Sequence, residues 1–201
     1  MLKKKSKSAF LAQFLYEVGT LRKVPRAHMQ TLLTNDLSDN IASHSYRVSV
    51  IGWFLAYLEK ADPYKVVTMC LFHDSAESRS GDQNWVHKSY VKVFEDEIIK
   101  DQLSNLPNKN ELSKVVNEYR ERLTKEALIA KDADLIDQII LLKEYSHQGN
   151  KESLDWLGNN KGKGNMQYKL LKTRSAKLVA MEILKQDPSD WWSKNWTEKR
   201  R

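Results

Sequence analysis

The sequence is short of the residues that interrupt regular structure or crosslink it. Its 201 residues include only 7 glycines, 4 prolines and a single cysteine, Cys70. One cysteine excludes an internal disulfide and a cysteine-based zinc site, and it fits a reducing cytoplasm. No apolar run reaches the length of about 18 residues that a membrane span needs. The apolar piece behind the basic N-terminus, residues 10–12, is too short for a signal peptide. We therefore expect a cytoplasmic protein with no membrane partner.

Long segments without turn residues make up most of the chain. Hydrophobic residues make up 41% and charged residues 29% of the sequence, which is typical of a soluble globule. We predict an all-α fold, a bundle of about six to eight helices in a single domain, 1–201. Its core is expected at about 10–186, between a basic N-terminal tail and a tryptophan-rich C-terminal tail. The second tail, DWWSKNWTEKRR, is too apolar to remain free, so we expect it to dock on the body or on a second subunit.

The net charge is +7, and part of the excess lies at the two ends of the chain. Such an excess is typical of solvated tails. It is also typical of a protein that attracts anionic ligands, either nucleotides or nucleic acid. The sequence shows no alternation of aromatic and basic residues and no recognition-helix pattern. A nucleic-acid partner is therefore not indicated.

Helical periodicity divides the chain into segments. We predict helices at 8–22, from Ser38 or Asn40 to about Lys60, from Asp62-Pro63 to Ser80-Gly81-Asp82, and at about 91–104, 110–123, 124–146 and 166–186. The second of these has an apolar stripe of Ile41, Val48, Ile51, Leu55 and Leu58, and His44 falls on it. Loops are expected between the first two helices, at 83–90 and at 158–165.

The third predicted helix carries His73 and Asp74 directly after an apolar run. A helix end that meets solvent explains such a pair; if it is buried, it needs a hydrogen-bonded network or a metal ion. Glu77 lies four residues after His73 on the same helical face, within reach of whatever His73 binds. His44 alone is explained as a satisfied core histidine, but a second inward His-Asp pair makes it a candidate ligand.

The late helix supplies the last candidate. Asp134 shares a face with small and apolar residues, whereas Asp132 lies on another face, so Asp134 is the better candidate for a buried role. His44, His73, Asp74 and Asp134 form a mixed nitrogen and oxygen set. Such a set suits a divalent cation, namely Mn, Co, Ni, Fe, Zn or Mg.

The order H…HD…D resembles the signature of the HD-domain superfamily of metal-dependent phosphohydrolases. The stretches SHSYRVSVI, LFHDSAESRSGD and AKDADLIDQ are similar to its 5′-deoxynucleotidase-like branch, and the similarity runs from about residue 10 to 185. The resemblance implies metal ligands at His44, His73, Asp74 and Asp134, catalytic carboxylates at Glu77 and Asp82, and a substrate-binding arginine at Arg26. Lys88 can add positive charge in the following loop. Two positions depart from the family pattern, Ser43 before the first histidine and the loop QNWVHKSY after Asp82.

The resemblance also implies a function and an assembly. Binuclear members need further histidines between Asp74 and Asp134, where this chain offers only His87, so a single metal ion is expected. The implied reaction is removal of phosphate from (deoxy)nucleoside 5′-monophosphates by a 5′-nucleotidase, and the family suggests a homodimer. Two alternatives remain: a nucleoside triphosphate hydrolase of the same superfamily, and a degenerate domain that binds nucleotide or nucleic acid without turnover.

Overall fold

The computed structural model describes residues 6–158 and 165–193, and it is 71% helical with no strand among them. The α-helices are α1 (Lys7–Val18), α2 (Met29–Leu32), α3 (Ile41–Glu59), α4 (Pro63–Phe72), α5 (Glu77–Ser80), α6 (His87–Tyr90), α7 (Glu95–Leu103), α8 (Lys109–Glu121), α9 (Lys125–His147), α10 (Lys151–Trp156), α11 (Met166–Leu170), α12 (Arg174–Lys185) and α13 (Asp190–Ser193). A 3₁₀ helix, Gly19–Lys23, follows α1. Most of the predicted loop at 158–165 and the end of the tail, 194–201, lie outside the described residues.

The predicted all-α class is confirmed, although the helices outnumber the prediction. Seven of the described helices are long, which matches the expected six to eight. The excess comes from short helices of four to six residues, two of which, α2 and α6, lie in segments predicted as loops. Such single turns carry too little periodicity to be recognised in a sequence. Within the described residues, no helix is both long and apolar enough to cross a membrane.

The two helices that carry the histidines start where the sequence predicts. At the start of α3, Asn40 Oδ1 accepts from Ser43 N and Ser43 Oγ accepts from Asn40 N, at 3.1 and 3.2 Å. This capping box gives a structural reason for serine directly before His44. At the start of α4, Asp62 Oδ1 accepts two backbone hydrogen bonds and Pro63 occupies the first helical position.

Two predicted helices are each interrupted. The helix expected to run from Pro63 to Ser80 ends at Phe72, and α5 begins only at Glu77. Between them the backbone tightens into bonds of the 3₁₀ type, from Ser75 N to the Phe72 carbonyl and from Glu77 N to the Asp74 carbonyl. The helix expected at 166–186 is split into α11 and α12, because the Asp132 carboxylate binds the backbone between them.

The core is built around α9, the longest helix, which packs against α3, α4, α8, α10, α11 and α12. Its buried apolar side chains join those of α3 and α4 in one cluster that includes Val48, Leu55, Val66, Met69, Ile129, Ile136 and Ile139. Helices α3 and α4 approach closely at Gly52, where a Cβ atom would lie 2.7 Å from Cys70 Sγ. Leu58 does not belong to the buried stripe as predicted, since it is 56% exposed near the end of α3.

Candidate metal centre and active site

The four predicted ligands lie together although they come from three helices. His44 lies on α3, His73 ends α4 with Asp74 after it, and Asp134 lies on α9. The Nε2 atoms of His44 and His73 are 3.2 Å apart. Asp74 Oδ2 lies 3.1 Å from His73 Nε2 and 3.5 Å from His44 Nε2, and Asp134 Oδ1 lies 3.3 Å from His44 Nε2. One cluster therefore contains both imidazoles and both carboxylates.

The hydrogen bonds of the two Nδ1 atoms set the tautomer and the orientation of the histidine rings. They therefore decide what the two Nε2 atoms present to the centre of the cluster. His73 Nδ1 lies 2.7 Å from the Cys70 carbonyl oxygen, which only accepts, so Nδ1 carries a proton. His44 Nδ1 lies 2.6 Å from Asp137 Oδ2, a carboxylate, and it carries a proton for the same reason. In the neutral rings both Nε2 atoms then present lone pairs to each other, which repel unless a cation or a proton lies between them.

The distances fit a cation at this centre. Imidazole nitrogens bound at about 2.1 Å from one ion, at angles of 90–109°, lie about 3.0–3.4 Å apart, and the observed separation is 3.2 Å. His44, His73 and Asp134 each offer a ligand atom, and these atoms lie within 4.8 Å of one another. Beside them, Glu77 Oε2 is buried without a hydrogen-bond partner among the described residues. The donor set and the unsatisfied oxygen both fit a divalent ion with a water molecule.

The charges in the cluster stabilise each other. Burial opposes a positive charge on His44, but hydrogen bonds to the surrounding carboxylates outweigh it and raise the pKa of the imidazole well above its ordinary value. Burial would raise the pKa of Asp74, yet the two imidazoles hold it well below the usual range. Asp134 follows the same pattern, with Lys131 and His44 lowering its pKa. Both carboxylates therefore stay ionised and available as metal ligands.

A cavity of about 440 Å³ opens beside the cluster. His73, Asp74 and Asp134 line one part of it, and the four other predicted site residues, Arg26, Glu77, Asp82 and Lys88, also line it. His44 lies behind this wall, with a side chain that is fully buried. The break after α4 turns Asp74 and Glu77 toward the same space, although the two do not share one continuous helix as expected.

Arg26 and Asp82 form a buried group at the side of the cavity. The Arg26 guanidinium lies 3.3 Å from Asp74 Oδ2 and 3.7 Å from Asp82 Oδ2. Asp82 Oδ2 also accepts a hydrogen bond from Ala27 N at 2.7 Å. Arg26 Nε faces His28 Nε2 at 3.4 Å, and both side chains belong to buried residues. Carboxylates therefore surround Arg26, which ties the loop that carries it to the cluster.

The surroundings of the Glu77 carboxyl group favour its protonated form. Its burial, together with the negative charges of Asp74 and Asp82, raises the pKa of Glu77 to about 10. A carboxyl group in this position keeps its proton at neutral pH in the absence of a bound cation. A raised pKa next to a cluster of ligands is the property expected of a proton donor.

Sequence reasoning missed the residues that support the centre from behind. Asp137 accepts from His44, and Arg47 binds Asp137 and also Glu144, at 2.8 Å to Oε1. Asp137 follows Asp134 by three residues on a helix, so their shared face was a usable signal. Tyr119 and Arg122, which line the cavity, gave no such signal. Tyr119 meets the His73 ring edge-on, with ring centroids 5.4 Å apart.

Known proteins are similar to this chain over most of its length. The family model described as HD domain matches residues 18–171, well over half of the sequence. A protein of Dictyostelium discoideum named 5′-deoxynucleotidase is 29% identical over 126 residues. That match covers 56% of this chain and 66% of the relative, so it spans just under two thirds of the relative's length.

Solved structures share the arrangement of helices. A conserved hypothetical protein from Pyrococcus furiosus is 26% identical, with a TM-score of 0.69 over 87% of this chain and 99% of that one. A protein from Magnetospirillum magnetotacticum, described as a predicted metal-dependent phosphohydrolase, is 20% identical, with a TM-score of 0.66 over 90% of this chain and 92% of that one. The second likeness is one of fold alone.

Proposed function

Because the chain belongs to the HD-domain family of metal-dependent phosphohydrolases, we propose that it is a 5′-nucleotidase that removes the phosphate from (deoxy)nucleoside 5′-monophosphates. The observation that carries the proposal is the cluster of four potential metal ligands beside one cavity, where Glu77 Oε2 is buried without a hydrogen-bond partner among the described residues. The name of the Dictyostelium relative supports the choice of substrate. The protein would use one divalent ion, held by His44, His73, Asp74 and Asp134.

A bound divalent cation would supply the neutralisation of phosphate charge and a water molecule of lowered pKa. The residues of this chain would do the rest. Asp137 and the Cys70 carbonyl hold the two imidazoles in the tautomer that binds metal. Glu77 would deliver its proton to the 5′-oxygen of the nucleoside as the phosphorus–oxygen bond breaks. The proton that water gives up on attacking phosphorus would restore the Glu77 carboxyl group.

The remaining predicted residues receive narrower roles. Arg26 is held between Asp74 and Asp82, so its charge balances those carboxylates as well as attracting the substrate phosphate. Asp82, which lies against Arg26 and lines the same cavity as Glu77, would help to orient the reacting groups. Lys88 is exposed at the rim of the cavity, where it can attract an anion as it enters.

The direct test is a panel of deoxy- and ribonucleoside mono-, di- and triphosphates, each assayed with each divalent metal. Release of inorganic phosphate from the monophosphates is the expected result. Release of triphosphate would instead identify a nucleoside triphosphate hydrolase, and nucleotide binding with no turnover under any metal would identify a binding module. Either of these outcomes would contradict the proposal.

Glu77→Gln tests the proton donor. The variant keeps the shape of the side chain but has no acidic proton, so we predict a fall in kcat of about 10²-fold or more with metal content unchanged. Glu95→Gln is the matched control, because Glu95 lines the same cavity but pairs with Arg120. Parental kcat in Glu77→Gln would remove this residue from the mechanism.

A homodimer in the cytoplasm remains part of the proposal. Phe54 and Tyr57 of α3 are 62% and 75% exposed, and Trp191 at the start of the apolar tail is 77% exposed. Large exposed aromatic side chains are common at interfaces between subunits. Sedimentation analysis of the whole chain would test the assembly, and a monomer at all concentrations would exclude it.

A further inference from the structure

The cations around the cavity differ in whether they are already neutralised. Arg26 lies between two carboxylates, and Lys131 Nζ lies 2.5 Å from Asp134 Oδ2. Arg120 is paired with Glu95 and Asp96. Arg122 lines the same cavity, and its Nη1 is buried without a hydrogen-bond partner among the described residues. A buried donor of this kind costs about 1–3 kcal/mol unless something satisfies it.

The guanidinium of Arg122 is held in a defined position. Its Cζ lies 3.4 Å from the centroid of the Tyr119 ring, the distance of a stacked cation–π pair. Tyr119 is buried and packs edge-on against His73. The stack therefore fixes Arg122 next to the wall that carries the metal ligands, with its planar face covered and its N–H groups at the edge.

The backbone reinforces this placement. Arg122 follows the last residue of α8 and adopts a left-handed conformation with φ of 58°. This conformation costs an arginine about 1 kcal/mol, whereas glycine or asparagine adopts it more readily. Arg122 thus combines a strained backbone, a stacked side chain and an unsatisfied donor at one cavity.

We propose that Arg122 binds the phosphate group of the substrate inside the cavity, whereas Lys88, which also lines the cavity, is exposed. A guanidinium that is stacked on one face donates from its edge, which suits the oxygens of a phosphate dianion. Arg26 is less suited to this role, because Asp74 and Asp82 already surround it. The inference rests on the proposed phosphomonoesterase function for its substrate, but the anion site itself can be measured without turnover.

The experiment measures binding of inorganic phosphate to the metal-loaded protein by calorimetry. Arg122→Asn removes the guanidinium and keeps a residue that tolerates the left-handed backbone, so the variant should fold. We expect its affinity for phosphate to fall about 10- to 100-fold, the range for loss of a charged hydrogen bond. Metal affinity, measured with the metal alone, should be unchanged. Arg120→Gln is the control, and its affinity for phosphate should change less than about threefold because two carboxylates already pair with Arg120.

Each outcome bears on the proposal. Equal phosphate affinity in the parent and in Arg122→Asn would overturn it, as would an equal loss in Arg120→Gln, because the effect would then be general electrostatics. An equal loss of affinity for a nucleoside without phosphate would also overturn it, since Arg122 would then contact the base or sugar. If phosphate binding depends on Arg122 but no nucleotide is hydrolysed, the anion site stands and the proposed nucleotidase activity fails.

Discussion

The outer hydrogen bonds of His44 and His73 decide whether the inner nitrogens can bind metal. Asp137→Asn replaces the acceptor for His44 Nδ1 by an amide that can present either oxygen or nitrogen. We predict that metal affinity falls about 10- to 100-fold, as is usual when such a partner is lost. Metal titration would measure the change. Glu144→Gln, at the outer end of Arg47, should leave metal affinity nearly unchanged, and an equal loss there would argue against the role of Asp137.

His28 gives the fold a pH dependence at the residue scale. Burial, followed by the charge of Arg26, lowers the pKa of His28 from 6.5 to about 4. The unfolded chain takes up this proton as the pH falls through about 6.5, whereas the folded protein does so only near pH 4. The contribution of His28 to the free energy of unfolding is therefore present above about pH 6.5 and is lost as the pH falls toward 4.

His28→Gln keeps an acceptor for Arg26 Nε and removes the titration. We predict that the free energy of unfolding of the parent falls by roughly 1–3 kcal/mol more than that of the variant between these pH values. Urea unfolding at a series of pH values would measure the difference. Parallel pH profiles for the two proteins would contradict the prediction.

Helical periodicity predicted the positions of some single residues and not of others. Asp134 was identified from the small residues on its helical face, and it does reach the cluster. The same reasoning placed Asp132 on a different face and made Asp134 the better candidate for a buried role, which is wrong for burial, since Asp132 is fully buried and Asp134 is only partly buried. Its partners are backbone groups 40 and 41 positions later, which helical periodicity cannot reveal. The position of Arg122 depends on a left-handed backbone conformation, which the sequence does not indicate because the residue is neither glycine nor asparagine.

At the scale of elements, the contact between α3 and α4 depends on the absence of a side chain at Gly52. A Cβ atom there would lie 2.7 Å from Cys70 Sγ and 3.0 Å from Val66 Cγ1, both in the buried core. Alanine improves helix propensity by about 1 kcal/mol, but overpacking costs about 1–3 kcal/mol. We predict that Gly52→Ala has a lower free energy of unfolding by up to about 2 kcal/mol.

Gly19→Ala is the control, measured by the same denaturant unfolding. Nothing lies within 4 Å of a Cβ atom at Gly19, and its φ of −61° suits any residue. Its stability should be unchanged or slightly higher. If Gly52→Ala were as stable as Gly19→Ala, the helices would be free to separate without cost.

Asp132 joins α9 to α12. Its carboxylate accepts from Lys172 N at 2.9 Å and from both Thr173 N and Thr173 Oγ1 at 2.7 Å. We predict that Asp132→Asn loses about 1–3 kcal/mol of stability, since one oxygen becomes a donor facing donors. Metal binding should be retained, whereas Asp134→Asn should lose the metal. Loss of metal in Asp132→Asn alone would mean that Asp132, and not Asp134, is the metal ligand.

The starts of α3 and α4 were predictable and the breaks inside two predicted helices were not, for one physical reason. The starts of α3 and α4 depend on residues two or three positions apart, Asn40 with Ser43 and Asp62 with Lys65. The break between α11 and α12 depends on Asp132, which lies on another helix. The break after Phe72 accompanies the turn of His73 and Asp74 into the metal cluster, a tertiary demand that overrides local propensity.

At the scale of the whole molecule, the metal ion would contribute to stability as a ligand of the folded state. A metal present at about 100 times its Kd adds about 2.7 kcal/mol, which corresponds to a rise in Tm of about 5–10 °C for a chain of this length. We predict such a rise on addition of the active metal, reversed by a chelator. Scanning calorimetry would measure it.

His73→Ala should abolish the metal-dependent rise in Tm, because it removes a ligand from the cluster. His147→Ala should retain it, since His147 pairs with Asp187 away from the cluster, at 3.3 Å. A rise of equal size in His73→Ala would show that the stabilising metal binds elsewhere.

The spread of the ligands along the chain has a consequence for the order of folding. His44 and His73 are 29 positions apart on two helices that follow one another, whereas His44 and Asp137 are separated by 93 positions. Closing the longer loop costs more chain entropy, and contacts of high sequence separation form late. We expect α3 and α4 to pair first and α9 to bring Asp134 to the centre afterwards. In stopped-flow refolding, tight metal capture should then lag behind the gain of helical signal, at a rate that does not depend on metal concentration. Metal capture that precedes the helical signal would reverse this order and make the ion a nucleus of the fold.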